Sequence, residues 1–222
     1  DNEITKLGID GYLSTGWTTR HQEGYPVASF FAARLLSADL DANGNAINLM
    51  CADGEGGSIS CDDAPWVYMG QPGPSFEGAI NTTLTLFDRI RVSGLLDFQT
   101  GQSKYLTDRW NRCAWRQSCE INYYPERFNV LDVAAAQNGG WNEFQYTAGV
   151  SSDFARLREV SIEYAIPAAW AGRVGATSGT ISLGGRNLAT FTDYPGLDPE
   201  IVDMTASVTE PNDQAIIPPL RQ

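Results

Sequence analysis

Two stretches of this chain alternate apolar and polar residues strictly enough to dictate their conformation. Over residues 89–98, Ile90, Val92, Gly94, Leu96 and Phe98 fall on one side; Arg89, Arg91, Ser93 and Asp97 fall on the other, with Leu95 as the exception. Over residues 154–166, Val160, Ile162, Tyr164 and Ile166 oppose Glu159, Ser161 and Glu163. Successive side chains of a strand point to opposite faces, so this period predicts strands with one dry and one wet face. Residues 78–87 read as a partner strand, with Ile80, Thr82, Leu84 and Leu86 on one side and Asp88 at the turn. Pro167 ends the second stretch, because proline has no N–H for the ladder. Residues 179–188 form a further strand, and 2–11 and 26–39 are expected as two more. Short helical turns are expected at 168–174 and within 105–119, where Leu106, Trp110 and Cys113 lie near helical spacing. The expected fold is mainly β: one domain over residues 1–222, an antiparallel up-and-down sheet with long stapled loops, one or two short helices and an extended tail at 205–222.

Charge and composition narrow the function. The net charge of −12 argues against nucleic acid or anionic lipid as a partner, since phosphate binding needs a basic face. An aromatic content of 11% is unlike disorder. No apolar run approaches the ~20 residues of a membrane helix; the longest, residues 27–36, is broken by Ser29 and Arg34. No signal peptide opens at Asp1, which reads as a mature form, a fragment or a cytosolic chain. The single histidine, His21, excludes a histidine pair or a multi-histidine metal site. Cys51 and Cys61 stand ten apart, and Cys113 and Cys119 six apart, a poor match to zinc knuckles. Two local disulfides, Cys51–Cys61 and Cys113–Cys119, are expected in preference to free thiols, and they imply an oxidising compartment.

Candidate chemistry is thin. Asp39, Asp41 and Asn43 resemble the start of a calcium loop, but its twelfth position is Met50 rather than glutamate. A tight turn needs the same residue types and is the preferred reading. Gly184-Gly185 with Asn187 lacks the lysine of a phosphate loop. Glu159 and Glu163, four apart on one strand face, would sit about 13 Å apart, too far for paired glycosidase carboxylates. Trp110, Trp115, Tyr123 and Tyr124 suit sugar stacking or a membrane interface, although ordinary loop packing is preferred. No enzyme constellation and no cofactor are expected.

Four blocks in order resemble SusC/RagA-like TonB-dependent outer-membrane transporters. Phe154-Ala155-Arg156-Leu157-Arg158, then residues 160–167 ending Tyr164-Ala165-Ile166-Pro167, is similar to that family's "F-x-R-L-K-N-V-T-L-G-Y-T-L-P" strand. Residues 182–200 resemble its next strand and loop, with Asn187, Leu188, Tyr194, Gly196, Leu197, Asp198, Pro199 and Glu200. Residues 70–78 resemble its "G-x-P-x-P-x-F-x-G", and Gly24-Tyr25-Pro26-Val27 with Phe30 its "E-G-x-P-I-x-x-F". The resemblance implies the C-terminal part of a transmembrane β-barrel that imports glycans, peptides or other large nutrients with a lipoprotein partner. Such a barrel has about 22 strands of about ten residues, more than these residues hold, and the expectation is a truncated form without plug or final strand. Two readings follow. One is a non-enzymatic barrel segment of the bacterial outer membrane, held within a larger assembly, with a glycan or peptide ligand. The other is an accessory structural subunit of a large membrane complex, photosynthetic or respiratory, docked from the periplasm. A secreted carbohydrate-binding β-sandwich is a third.

Overall fold

The computed structural model describes residues 2–139, 144–201 and 211–213. Thirteen strands are described: β1 (Tyr12–Ser14), β2 (Thr19–Gln22), β3 (Ser29–Ala32), β4 (Leu35–Leu40), β5 (Ala46–Ala52), β6 (Ser58–Ser60), β7 (Val67–Gly70), β8 (Phe76–Leu86), β9 (Ile90–Thr100), β10 (Ser103–Lys104), β11 (Val150–Ser151), β12 (Phe154–Ile166) and β13 (Gly179–Phe191). The described residues fall into two compact units, one from 76–100 and 153–193, the other from 2–75, 101–139, 144–152, 194–201 and 211–213. All but 211–213 of the expected tail at 205–222 lies outside the described residues.

The first unit is one antiparallel sheet in the order β13-β12-β9-β8. β8 and β9 join through Phe87 and Asp88, whose φ angles of 52° and 57° are both left-handed. Two left-handed central residues match the right-handed twist of the flanking strands, which is why a two-residue hairpin takes this form. β12 ends at Pro167, whose carbonyl accepts from Trp170 N and Ala171 N at 2.8 and 3.1 Å and so starts the short Ala168–Ala171 helix. Both connections leave from the same end of the sheet, and Phe76, Thr100, Phe154 and Phe191 mark the other.

The second unit holds the buried apolar clusters. Its sheets run β1-β2-β3-β7, β4-β5-β6 and β10-β11. The Val130–Asn138 helix packs Ala134 and Ala135 against Ala33, Leu35, Cys51 and Phe144. Its Val133 and Ala136 meet Cys113 and Ile121. Phe30 and Ala32 of β3 pack on Tyr105 and Ala148. Asn129 caps the helix, its side chain accepting from Leu131 N at 2.8 Å.

Three sequence expectations need correction. Residues 2–11 form no strand; Glu3 makes a single bridge to Pro26. Residues 26–39 do not run as one strand, because Ala33 leaves the ladder to bridge Phe144 and Arg34 turns to the Tyr68 carbonyl at 3.0 Å. One of the expected long stapled loops, that between Cys51 and Cys61, is a hairpin, β5 paired with β6. Both local disulfides are present, with Cα separations of 4.8 Å for Cys51–Cys61 and 4.9 Å for Cys113–Cys119. A double Cys51→Ala/Cys61→Ala variant should lose about 2–3 kcal/mol of unfolding free energy, from the loop entropy regained by the unfolded chain. Urea unfolding followed by tryptophan fluorescence measures it.

Candidate functional site

In the four-stranded sheet, residues opposite one another share a face, and the pairings assemble five rows on one side. They read Leu86–Ile90–Tyr164–Ile181, Leu84–Val92–Ile162–Leu183, Thr82–Gly94–Val160–Gly185, Ile80–Leu96–Leu157–Ala189 and Gly78–Phe98–Ala155–Phe191. The opposite face is charged and hydroxylic. Arg91 pairs with Glu163 and Arg186 with Glu159, both at 3.6 Å, and Thr83 bonds Ser93 at 3.2 Å. Arg158 grips Asp97 with its Nε at 2.9 and 2.8 Å from the two carboxylate oxygens and Nη2 at 2.7 Å from one. Glu159 and Glu163 thus each serve a separate ion pair across the sheet.

The apolar face stands open. Ile80, Leu84, Ile181 and Leu183 on the outer strands are 57, 55, 61 and 75% exposed. Ile90, Val92 and Val160 are half-buried and Ile162 is 45% exposed, since inner strands are shaded by their neighbours even on an uncovered face. Among the described residues, no buried apolar cluster lies in this unit. Water would penalise each such side chain by roughly 1.5–3 kcal/mol, so this face requires an apolar medium or partner.

The residues of the family resemblance divide between the units. In the sheet, Leu157 and Tyr164 lie on the apolar face, and Arg156 is buried, with its guanidinium 5.7 Å from the Phe154 ring centroid. Asn187, with φ of 50°, and Leu188 form a bulge in β13. In the other unit, Tyr194 packs its ring where a Gly196 side chain would stand. Asp198 accepts from Glu200 N at 2.9 Å, and Leu197 is exposed. This turn presents the carbonyls of Pro199 and Ile201 to Lys104 Nζ, the latter at 2.7 Å, and the Tyr194 ring centroid lies 5.7 Å from Nζ. Lys104 is only 4% exposed. Burial pulls its pKa down to about 8, against the opposing pull of Asp198, Asp213 and Glu200. Burial likewise raises Asp213 and Tyr194 above their ordinary values. Lys104 belongs to no sequence motif; its one signal is that it is one of only two lysines in the chain.

Asp41 closes the β4–β5 turn, its Oδ1 accepting from Asn43 N and Asn45 N at 2.8 Å each. The Asn45 side chain, donating Nδ2 to Oδ2 at 3.0 Å, holds its carboxyl below the ordinary value together with these backbone bonds. Asp39 accepts from Asn48 Nδ2 at 2.9 Å, so Asp39 and Asp41 each bond within the β4–β5 hairpin. His21 Nδ1 accepts from Ala28 N at 3.1 Å. Trp110 and Trp115 stack on each other, while Tyr123 and Tyr124 are exposed.

A long-stranded antiparallel sheet, dry on one face and charged on the other, is the pattern that the walls of transmembrane β-barrels share. Within that pattern the chain is similar to part of the TonB-dependent transporters. It is 29% identical over 179 residues to TonB-dependent receptor P3 of Formosa agariphila, a match covering 74% of this chain and 16% of that protein. It superposes on the RagAB peptide transporter with a TM-score of 0.65 at 19% identity, covering 89% of this chain and 23% of that one. On the "open-open" RagAB peptide importer the TM-score is 0.60 at 17% identity, with 89% and 22% covered. The chain thus spans less than a quarter of each of these relatives. No family model matches it.

The buried lysine has a pH signature. Its pKa is lower folded than unfolded, so the unfolded chain holds more protons between about pH 8 and the ordinary value of 10.5. Its contribution to stability therefore rises with pH through that window. Lys104→Met should flatten this rise and, by removing the donor to two carbonyls, speed amide exchange over residues 194–201 at pH 7. Hydrogen exchange of both proteins across pH 7–11 checks the two effects.

Proposed function

We propose that this chain is wall and loop of an outer-membrane nutrient transporter, without catalytic activity of its own. Its four-stranded unit supplies contiguous barrel strands, with the apolar rows facing lipid and the Arg91–Glu163, Arg186–Glu159 and Arg158–Asp97 pairs facing the lumen. The observation that carries this reading is a five-row face of apolar residues, glycines and one threonine that holds no charged side chain. From Gly78 to Leu86 it runs about 27 Å along the strand at ~3.4 Å per residue, the order of the ~25 Å lipid-facing band of such barrels. Short connections at one end and long excursions at the other match the barrel pattern of tight periplasmic turns and large outer loops. By analogy with RagAB, named as a peptide importer, the complete protein takes a large nutrient, peptide or glycan, together with a partner protein. None of the relatives named here favours the accessory-subunit or lectin readings.

Spin labels placed singly at Ile80, Leu183, Thr83 and Ser182 of the full-length protein in liposomes test the wall assignment. Ile80 and Leu183 should favour relaxation by lipid-soluble oxygen, and Thr83 and Ser182 relaxation by a water-soluble nickel chelate. The reverse pattern, or none, would overturn it. Leu183→Arg should destabilise the folded barrel by about 2–4 kcal/mol if it sits near mid-bilayer, whereas Ser182→Arg should be close to neutral. Urea titration in liposomes reads the difference.

A further inference from the structure

The segment after Lys104 winds in an unusual way. Residues Trp110–Trp115 form a π-type turn, with Arg116 N donating to the Asn111 carbonyl five residues back at 3.1 Å. In an α-helix, residues five apart point some 140° away from one another at 3.6 residues per turn. The wider π winding brings Trp110 and Trp115 into register, their centroids 5.5 Å apart and planes 17° from parallel. Trp17 of the β1–β2 loop extends the row, 5.4 Å from Trp110. The two outer members are 64% (Trp17) and 46% (Trp115) exposed. Cys113–Cys119 staples the turn as it exits.

This arrangement is costly. π-type turns are rare and collect at functional sites. The buried Trp110 Nε1–H has no acceptor among the described residues, which is also uncommon without a functional reason. The surroundings are equally unusual for a chain of net charge −12. Arg109, Arg112 and Arg116 follow within eight residues, with two local counter-charges: Asp108, 3.2 Å from Arg112, and Asp213, which lines the same cavity as Arg109 and Arg112. Arg116 is exposed and has no carboxylate partner among the described residues. Arg109 lies over Tyr146 at 4.5 Å and donates to its carbonyl, leaving Arg112 and Arg116 as the outward cations.

We propose that the Trp17–Trp110–Trp115 row with Arg112 and Arg116 is a binding platform for an acidic saccharide, one bearing carboxylate or sulfate. The proposal rests on the transporter reading above and narrows it to a substrate class. Trp110 is half-buried against Trp115, so the exposed surfaces of Trp17 and Trp115 are what a sugar would meet; indole suits the flat C–H face of a pyranose ring, since aromatic side chains join large apolar area to a polar edge. Guanidinium forks bind carboxylate or sulfate oxygens with paired, charge-assisted hydrogen bonds. A neutral glycan would use the indoles and leave the arginines idle. An acidic peptide would use the arginines without needing a row of indoles.

Calorimetric titration of the full-length protein in detergent tests this, with tetragalacturonate, a sulfated galactotetraose, neutral cellotetraose and tetraglutamate as probes. At least one anionic saccharide should bind at least tenfold more tightly than cellotetraose and tetraglutamate. Preference between the two anionic sugars assigns carboxylate or sulfate. Trp115→Ala and Arg116→Gln should each weaken that binding about tenfold, and Trp170→Ala, in the sheet unit, should leave it unchanged. Arg116→Gln alters only an exposed side chain, so it reads the site even if Trp115→Ala misfolds. Equal binding of the neutral sugar, equal or tighter binding of tetraglutamate, no binding of either anionic sugar, or unchanged affinity in Arg116→Gln overturns the proposal. Spin-label accessibility of the sheet is independent of these titrations, so failure of the wall assignment and failure of the platform are separately visible.

Discussion

The backbone ladder joining β9 to β12 decides which side chains meet an apolar medium and which meet water. A slip of one residue would exchange the faces along a whole strand. β12 contains a change of phase of this kind and corrects for it. Val160, Ile162, Tyr164 and Ile166 occupy even positions on the apolar side, so unbroken alternation would put Arg156 there too. Instead Arg158 is an extra residue: Glu159 stands opposite Leu95 and Leu157 opposite Leu96. The bulge moves Leu157 and Ala155 onto the apolar face and sends Arg156 to the side of Asp97. Arg158 itself is anchored by both oxygens of Asp97. A single ion pair thus accompanies a register correction that keeps an arginine off the apolar surface.

The two units are stabilised by different means. The inserted unit has its own apolar clusters, a capped helix and both disulfides. Burial drives it in the usual way, and it carries Lys104, a charge that burial disfavours and two backbone carbonyls compensate. The sheet has ladders and cross-strand ion pairs, but its largest apolar surface is uncovered. Exposed apolar patches of this extent mark a membrane or a partner. The polar pairs on its other face are mostly solvent-exposed and contribute little singly, so the apolar face and its environment decide the stability of the wall.

Strict alternation made the sheet legible from sequence. Residues 89–98 and 154–166 were placed because each apolar side chain there has a polar neighbour. The phase slip at Arg156-Leu157 is the visible trace of the bulge. Legibility failed where contacts far apart in the chain decide the outcome. The Val130–Asn138 helix buries four consecutive residues, Val133 to Ala136, so it has no narrow apolar stripe to find. β3 and β4 read as one strand because nothing local reveals that Ala33 will pair with Phe144, more than a hundred residues away. The tryptophan row was half-seen: Trp110 and Trp115 were noted, but their five-residue spacing becomes a stack only in a π-type turn, and Trp17 joins from another loop. Lys104 belongs to no motif, and only its carbonyl cradle gives it meaning.

The β10–β11 pair bears on how such a sheet can be assembled in time. β8 and β9 are neighbours in sequence and can zip from their two-residue turn. β9 and β12 are separated by the long excursion 101–152, and bringing distant strands together carries an entropy cost that slows folding as contacts become less local. The excursion closes on itself where it leaves and returns: Ser103 pairs with Ser151, and Gln102 and Ser152 exchange hydrogen bonds at 3.0 and 2.9 Å. With that clasp shut, Thr100 and Phe154 are separated by only a few ordered residues. The hardest pairing in the sheet then becomes, in effect, a hairpin whose loop happens to contain a folded unit.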